Sequence, residues 1–568
     1  MAYFNYNMKK PAIIFDTTIR EGMQTPGGIG ASLDEKIYAA NLISRYADWI
    51  ELGMPANPAD RKDIAAIVDS LKKNQRDVGV AVLCRNNHYD IDQAVATIGH
   101  YQRSMAHLFI GTSDEHRSNR FDGKWKVEDY EKNIEDSVRY AASKSFERVM
   151  FSPEDAYRTF NENPEFFFRF VDAAINGYEE GSKSVGRKSK LILNFPDTVG
   201  ASTIDEFKGM ISKIKERYSD KIEISVHGHN DSSASNQQAI MCYFDGTVDV
   251  IQTTFGMLGE RNGIAQTEAV IAMLNERGAL DKKKYNDKML KELVPATYAI
   301  LGALGKTVPD VAQVSGRRTN VSVAGIHTEI AKNDNNTYHC YGTRYGALPE
   351  LEFSVTSGAG QIIPVLQKIG IVKDKKDPAI ADFVNKMKEV CNAEKRMLCE
   401  TDVMYAAIHY FGNMEDPMII EDYSVVIHRN KPVEVNVIGT YKGRKFSIER
   451  EQAGTLEAFI AGFNQVINSG NGKSLKLVNF IPEVRPRIPQ EYLTWEAGSY
   501  PKVPRGLNLE SDMQVSTAIK NSCPTNGDRI YYGFAKAEDS VKPIIESAID
   551  AIVKMCAIEK WNDIVCML

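Results

Sequence analysis

AIIFD, residues 12–16, is the first of eight short apolar runs whose reading decides the fold. Outward from it follow WIELG (49–53), VAVLC (80–84), HLFIG (107–111), RVMFS (148–152), LILNF (191–195), IEISVH (222–227) and VDVIQTTF (248–255). Each is nearly continuous in apolar side chains, as expected of a strand buried on both faces of a parallel sheet. Amphipathic stretches of helical length separate them, such as 34–45 and 204–218. Eight strand–helix units of this size predict an α/β chain that opens with a (β/α)8 barrel.

Polar residues cluster just after these runs: Thr17 to Glu21, Glu51, Arg85, Ser113, Glu154, Asp197 and Thr198, His227 to Asp231, and Glu260 to Asn262. The C-terminal ends of barrel strands are where such folds assemble their sites. The chain of 568 residues is too long for the barrel alone, so at least one further module is expected. Residues 285–400 read as helices joined by polar loops. From about 420 the pattern turns to strands (423–428, 433–438, 445–450) and a helix over 456–467. A second round, 475–481, 529–534 and a helix over 540–555, predicts an α+β domain with an internal near-repeat. The expected divisions are a barrel over 1–284, helical linker subdomains over 285–419, and the α+β domain over 420–568.

Composition excludes several classes. A hydrophobic content of 43% with 25% charged residues is that of a soluble globular protein. A net charge of −6 with no Lys/Arg-rich arm argues against nucleic-acid binding. Acidic substrates therefore need local positive charge, from a metal or a few placed arginines. The opening MAYFNYNMKKPAIIFD lacks a secretory apolar core, and no stretch approaches a membrane span. The eight cysteines (84, 242, 340, 391, 399, 523, 556 and 566) are scattered without CxxC spacing. Reduced thiols in a cytoplasmic protein are expected.

VHGHND supplies the first chemical signal. His227 and His229, at i and i+2 of a strand end, face the same side and can reach one ion. FDTTIREGMQ adds Asp16, Arg20 and Glu21 at the mouth of the same barrel, because closure brings the first strand to the seventh across the eighth.

FDTTIREGMQTPGG, IELGMPA, FSPEDAYRT, DTVG, HGHND, GERNG and AGIHTE occur together in one order. This order resembles the metal-dependent acyl-CoA condensing family, which includes 2-isopropylmalate, homocitrate and citramalate synthases and hydroxymethylglutaryl-CoA lyase. The resemblance spans about 12–370 and implies a TIM-barrel acyltransferase that condenses acetyl-CoA with a 2-oxo acid and releases CoA. Residues from 420 resemble the leucine-binding regulatory domain of 2-isopropylmalate synthases. A small amino-acid effector, a homodimer and a role in amino-acid biosynthesis are implied.

Carried over residue by residue, the resemblance makes Glu21, His227 and His229 the ligands of a divalent metal, Zn²⁺, Mn²⁺ or Mg²⁺. Many members add an asparagine at the position of Ile264, which cannot ligate; Glu21 with that loss is similar to homocitrate synthases. Arg20 takes the role of oxyanion donor. Glu154, His327 and a tyrosine are the implied base for the acetyl methyl, with Tyr345 (in GTRYG) first and Tyr338 (in NTYHCY) second. Arg20, Gln24 and Thr198 are the implied substrate contacts. Met23 stands where the family usually has glutamate.

Other polar residues read as structural or stay open. Asp16 is expected to bond backbone at the strand mouth rather than ligate. His116, His339 and Asn262 are left outside the site. A lyase of the same family normally lacks the C-terminal domain, and retention of the whole constellation argues against a non-catalytic sensor. The acceptor acid stays open, because the barrel motifs lean to homocitrate synthases and the C-terminal domain to 2-isopropylmalate synthases. In that domain EREQAGTLEAF is less glycine-dense than the family version, which bears on leucine feedback.

Overall fold

A computed structural model describes residues 10–119, 124–218, 221–321, 341–347, 352–427, 431–452, 454–467, 474–486, 511–523, 527–537 and 542–567. Two compact units divide it: Met1–Asn320 with Cys340–Pro349, and Val321–His339 with Glu350–Leu568. Helices Asp287–Leu290 and Leu293–Ala303 supply Leu290, Leu293, Ile300 and Leu301 to the core of the first unit.

The first unit is the expected barrel. Its strands are β1 (Ile13–Asp16), β2 (Trp49–Glu51), β3 (Gly79–Arg85), β4 (Ser104–Gly111), β5 (Arg148–Glu154), β6 (Leu191–Asp197), β7 (Ile222–Gly228) and β8 (Val250–Thr253). They pair in parallel in chain order, and β1 closes the ring on β8 through Ile13↔Val250 and Phe15↔Gln252. Helices intervene where the sequence caps them. Ser32 and Glu35 form a capping box ahead of Leu33–Ile43, and Asn57 caps Pro58–Lys73, whose first residue is proline.

The period of two along each strand sorts the side chains into two layers. Val149 and Phe151, like Ala106 and Leu108, pack outward among the helices in the large core. The intervening positions point inward. Phe15, Trp49, Ala81, Met105, Met150, Ile192 and Val250 form a separate apolar plug, one residue from each strand but β7. One step further toward the mouth, the same inward parity presents Glu51, Leu83, His107, Ser152, Asn194, His227 and Gln252. A dry floor thus carries a polar layer above it.

The second unit holds a short pair, β9 (Glu352–Phe353) with β10 (Leu398–Cys399), and two three-stranded antiparallel meanders. The meanders are β11 (Met418–Val426), β12 (Val433–Tyr441), β13 (Arg444–Gln452), then β14 (Ser474–Pro486), β15 (Ser511–Cys523), β16 (Gly527–Ala537). Each is followed by a helix, Thr455–Ile467 and Lys542–Met567. β15 was not expected from the sequence; its buried Val515, Thr517 and Ile519 alternate with Gln514, Ser516, Ala518 and Lys520. With β15 in place the two halves match strand for strand. Among the described residues no helix is long and apolar enough to cross a membrane.

Candidate active site

The barrel mouth holds a cavity of about 140 Å³. Arg20, Glu21, Gln24, Glu154, Thr198, His227 and His229 all line it, so most of the expected site comes together. Arg20, Glu21 and Gln24 share the short helix Thr18–Gln24 that leaves β1. The i, i+4 spacing lets the Arg20 guanidinium reach Gln24 Oε1 at 3.1 Å, and it also pairs with the Glu21 carboxylate.

Below these residues lies a network that the sequence reading did not isolate. Arg20 Nε donates to Glu51 Oε2 at 2.7 Å, and Glu51 Oε1 lies 2.6 Å from His107 Nδ1. His107 Nε2 meets Ser152 Oγ at 2.7 Å, and Asn194 Nδ2 donates to the same hydroxyl at 2.8 Å. Burial alone would raise the Glu51 carboxyl, but Arg20 and His107 outweigh it and hold it down at about 2. A fixed buried anion therefore orients the guanidinium. The available signal was parity: these are the inward polar positions in otherwise apolar runs.

Glu21, His227 and His229 bring one ligand atom each to within 4.8 Å of one another, the only such buried group among the described residues. The two Nε2 atoms stand 3.4 Å apart, and His227 Nε2 is 3.4 Å from Glu21 Oε1. His227 Nδ1 donates to Gln252 Oε1 at 2.9 Å, which leaves its Nε2 lone pair facing the other two groups. Burial, then Arg20, pushes His227 down to about 3; burial, then the His227 ring, does the same to His229. Neutral imidazoles beside a carboxylate whose Oε2 is buried without a hydrogen-bond partner suit a divalent cation. Ile264 is fully buried and bridges His229 through backbone, so an apolar wall stands on that side of the imidazole. Asn262 is exposed.

Asp16 is structural, as expected. It accepts from Thr18 N and Thr18 Oγ at 2.9 Å and from Thr267 Oγ at 3.1 Å, and burial raises it to about 7.

Tyr345 is a correction. Its hydroxyl bonds Ala272 O and Glu276 Oε1 at 3.1 Å and receives Asn275 Nδ2 at 3.0 Å. Those partners form the C-terminal turn of helix Thr267–Glu276, and barrel helices run antiparallel to the strands. The tyrosine therefore anchors the end of the barrel opposite the mouth. His327, Tyr338 and His339 lie outside the described residues.

Residues 11–294, half of the chain, match the HMGL-like family model. The chain belongs to the HMGL-like family. Its curated relatives include a 2-isopropylmalate synthase of Variovorax paradoxus, 26% identical over 90% of this chain and 96% of the relative. Another, from Halothermothrix orenii, is 28% identical over 82% of this chain and 86% of its own length. A third, from Ruminiclostridium cellulolyticum, is 32% identical over 58% of this chain and 61% of its own. The HMGL-like match covers all eight barrel strands and every lining residue of the mouth.

Proposed function

We propose that this chain condenses acetyl-CoA with a short branched 2-oxo acid of the 2-oxoisovalerate type, releasing CoA and a 2-hydroxy diacid. The observation that carries the reaction class is the convergence of Glu21, His227 and His229 beside Arg20 at the mouth of an HMGL-like barrel. The names of the relatives agree with it.

Choice of acceptor rests on the cavity wall. Leu83, Phe109 and Pro196 give it an apolar side, and among the described lining residues Arg20 is the one Lys or Arg. Arg20 is already bound to Glu21 and Glu51. The second carboxylate of 2-oxoglutarate would then be buried without a cation, a cost of several kcal/mol, whereas an isopropyl group gains from the same wall.

A bound divalent cation supplies Lewis-acid polarisation of the acceptor carbonyl. Glu21, His227 and His229 would hold it; a mixed carboxylate and imidazole set suits Zn²⁺, Mn²⁺ or Mg²⁺. Arg20, held by Glu51, directs N–H donors at the oxygen on which negative charge develops. Glu154 is the base placed to take a methyl proton from the thioester, with His327 and Tyr338 as its expected companions. Thr198 Oγ accepts from the backbone N–H of Asp155 at 2.8 Å, which ties the Glu154 segment to β6. The enolate adds to the carbonyl, and hydrolysis of the thioester frees CoA. The barrel, 1–284, carries the chemistry, and 285–419 links it to an effector-binding domain at 420–568 for which leucine is the leading candidate. The working form is a cytoplasmic homodimer without nucleic-acid or membrane partners.

Mass spectrometry of the product from 2-oxoisovalerate and acetyl-CoA labelled in the methyl carbon tests the reading. It predicts 2-isopropylmalate with the label retained. Unchanged acid beside free acetate would overturn condensation in favour of simple thioester hydrolysis.

A further inference from the structure

Behind Glu154 stands an imidazole that neither the resemblance nor the reaction assigns. His116 lies on helix Asp114–Asn119, with Nε2 3.8 Å from Glu154 Oε1 and Nδ1 3.3 Å from Asp155 Oδ2. Ser113 Oγ lies 2.9 Å from the same Nδ1. The ring therefore faces a carboxylate on each side, one at the cavity and one buried.

Three features hold that arrangement. Asp155 is 1% exposed and sits at φ +66°, a left-handed backbone that a non-glycine residue adopts at some cost. Arg158 Nε donates to Asp155 Oδ1 at 2.9 Å, so the buried anion is compensated and pinned. Burial would raise Asp155, but His116, Arg158 and Ser113 more than offset it and hold it at about 2. Gly111, at the end of β4, is the third: a Cβ there would lie 2.4 Å from His116 Cδ2 and 2.7 Å from Cγ. The imidazole occupies space that a Cβ at 111 would take, which only glycine leaves open.

We propose that His116 is the positioning residue and proton acceptor behind Glu154, with Asp155 as the carboxylate that orients it. This rests on the reading of Glu154 as the base. The methyl C–H bond breaks as an O–H bond forms on Glu154, and the electron pair passes to the enolate. The O–H bond then breaks as N–H forms at His116 Nε2, which returns Glu154 to carboxylate. Asp155, its Oδ2 3.3 Å from Nδ1, stabilises the imidazolium by its charge, and the imidazolium releases its proton to solvent from a ring 26% exposed. The 3.8 Å gap must shorten by about 1 Å for this transfer, as catalytic hydrogen bonds commonly do when substrate binds.

Steady-state kinetics of the full chain with acetyl-CoA and 2-oxoisovalerate test the relay. His116→Ala should lower kcat by about 10- to 100-fold while the KM of both substrates stays within about twofold, because the ring touches neither. Added imidazole should restore part of that kcat, which a purely structural role would not allow. Asp155→Asn keeps the ring, removes the orienting charge and should lower kcat to a similar degree, so the test survives if His116→Ala does not fold. Wild-type kcat in either variant, or a folded His116→Ala whose loss imidazole leaves untouched, would overturn the relay. Full kcat in Glu154→Gln would instead overturn the assignment of the base, and the relay with it.

Discussion

Glu51 touches no reacting atom in this account, yet Arg20 is aimed by it. The carboxylate is fully buried between the guanidinium and His107, and removing one partner of such a set leaves uncompensated charge in the core. Glu51→Gln is expected to lower stability by about 3–5 kcal/mol, read from the denaturant midpoint at pH 7. The pH dependence has a definite sign. A carboxyl held at about 2 in the folded chain, against an ordinary 4.5, contributes stability at neutral pH that is lost as pH falls from about 4.5 toward 2. Glu51→Gln should lack that part of the acid transition, and an identical acid limb in both proteins would show that Glu51 is not held as described. The chemistry at this scale was unevenly legible. Glu21, His227 and His229 stand out because their types and spacing are rare together. Glu51, His107, Ser152, Asn194 and Gln252 do not, because each sits in a largely apolar run and its partner lies on another strand or element. Tyr345 misled for the opposite reason, since its local motif fits while its packing places it at the far end of the barrel.

At the scale of elements, the loop after β8 carries more of the site than its sequence suggests. Gly263 has φ +71°, and a Cβ there would lie 1.8 Å from Met257 O. Its carbonyl accepts from Asn230 N at 2.8 Å, and the next residue, Ile264, bridges His229. An alanine at 263 must displace this loop and with it the backbone of His229, a proposed metal ligand. Gly263→Ala should lower the thermal midpoint and weaken divalent-metal retention by about 10-fold or more, read by metal analysis after dialysis. Full metal content in that variant would free the loop from any role in holding His229. The barrel strands themselves were legible because burial on both faces makes each a continuous apolar run. β15 was not, because a strand covered on one face reads as alternating polar sequence, and the buried Val515, Thr517 and Ile519 dilute into it.

Over the whole molecule, the candidate site belongs to one of the two compact units. The apolar plug, the polar layer above it and the Glu21, His227 and His229 trio all belong to the first unit, within the HMGL-like match. The second unit repeats a three-stranded meander and helix twice, a pattern visible in the sequence once the missing strand is supplied. The function proposed for the first unit is a metal-dependent condensation whose cavity accepts a branched 2-oxo acid and refuses a second carboxylate. Release of CoA from acetyl-CoA, followed with a thiol reagent across 2-oxoisovalerate, pyruvate, oxaloacetate and 2-oxoglutarate, tests it most directly. The expected result is release that chelation abolishes and a divalent cation restores, with kcat/KM for 2-oxoisovalerate at least about 100-fold above that for 2-oxoglutarate. Release unaffected by chelation, or a preference for 2-oxoglutarate, would contradict it.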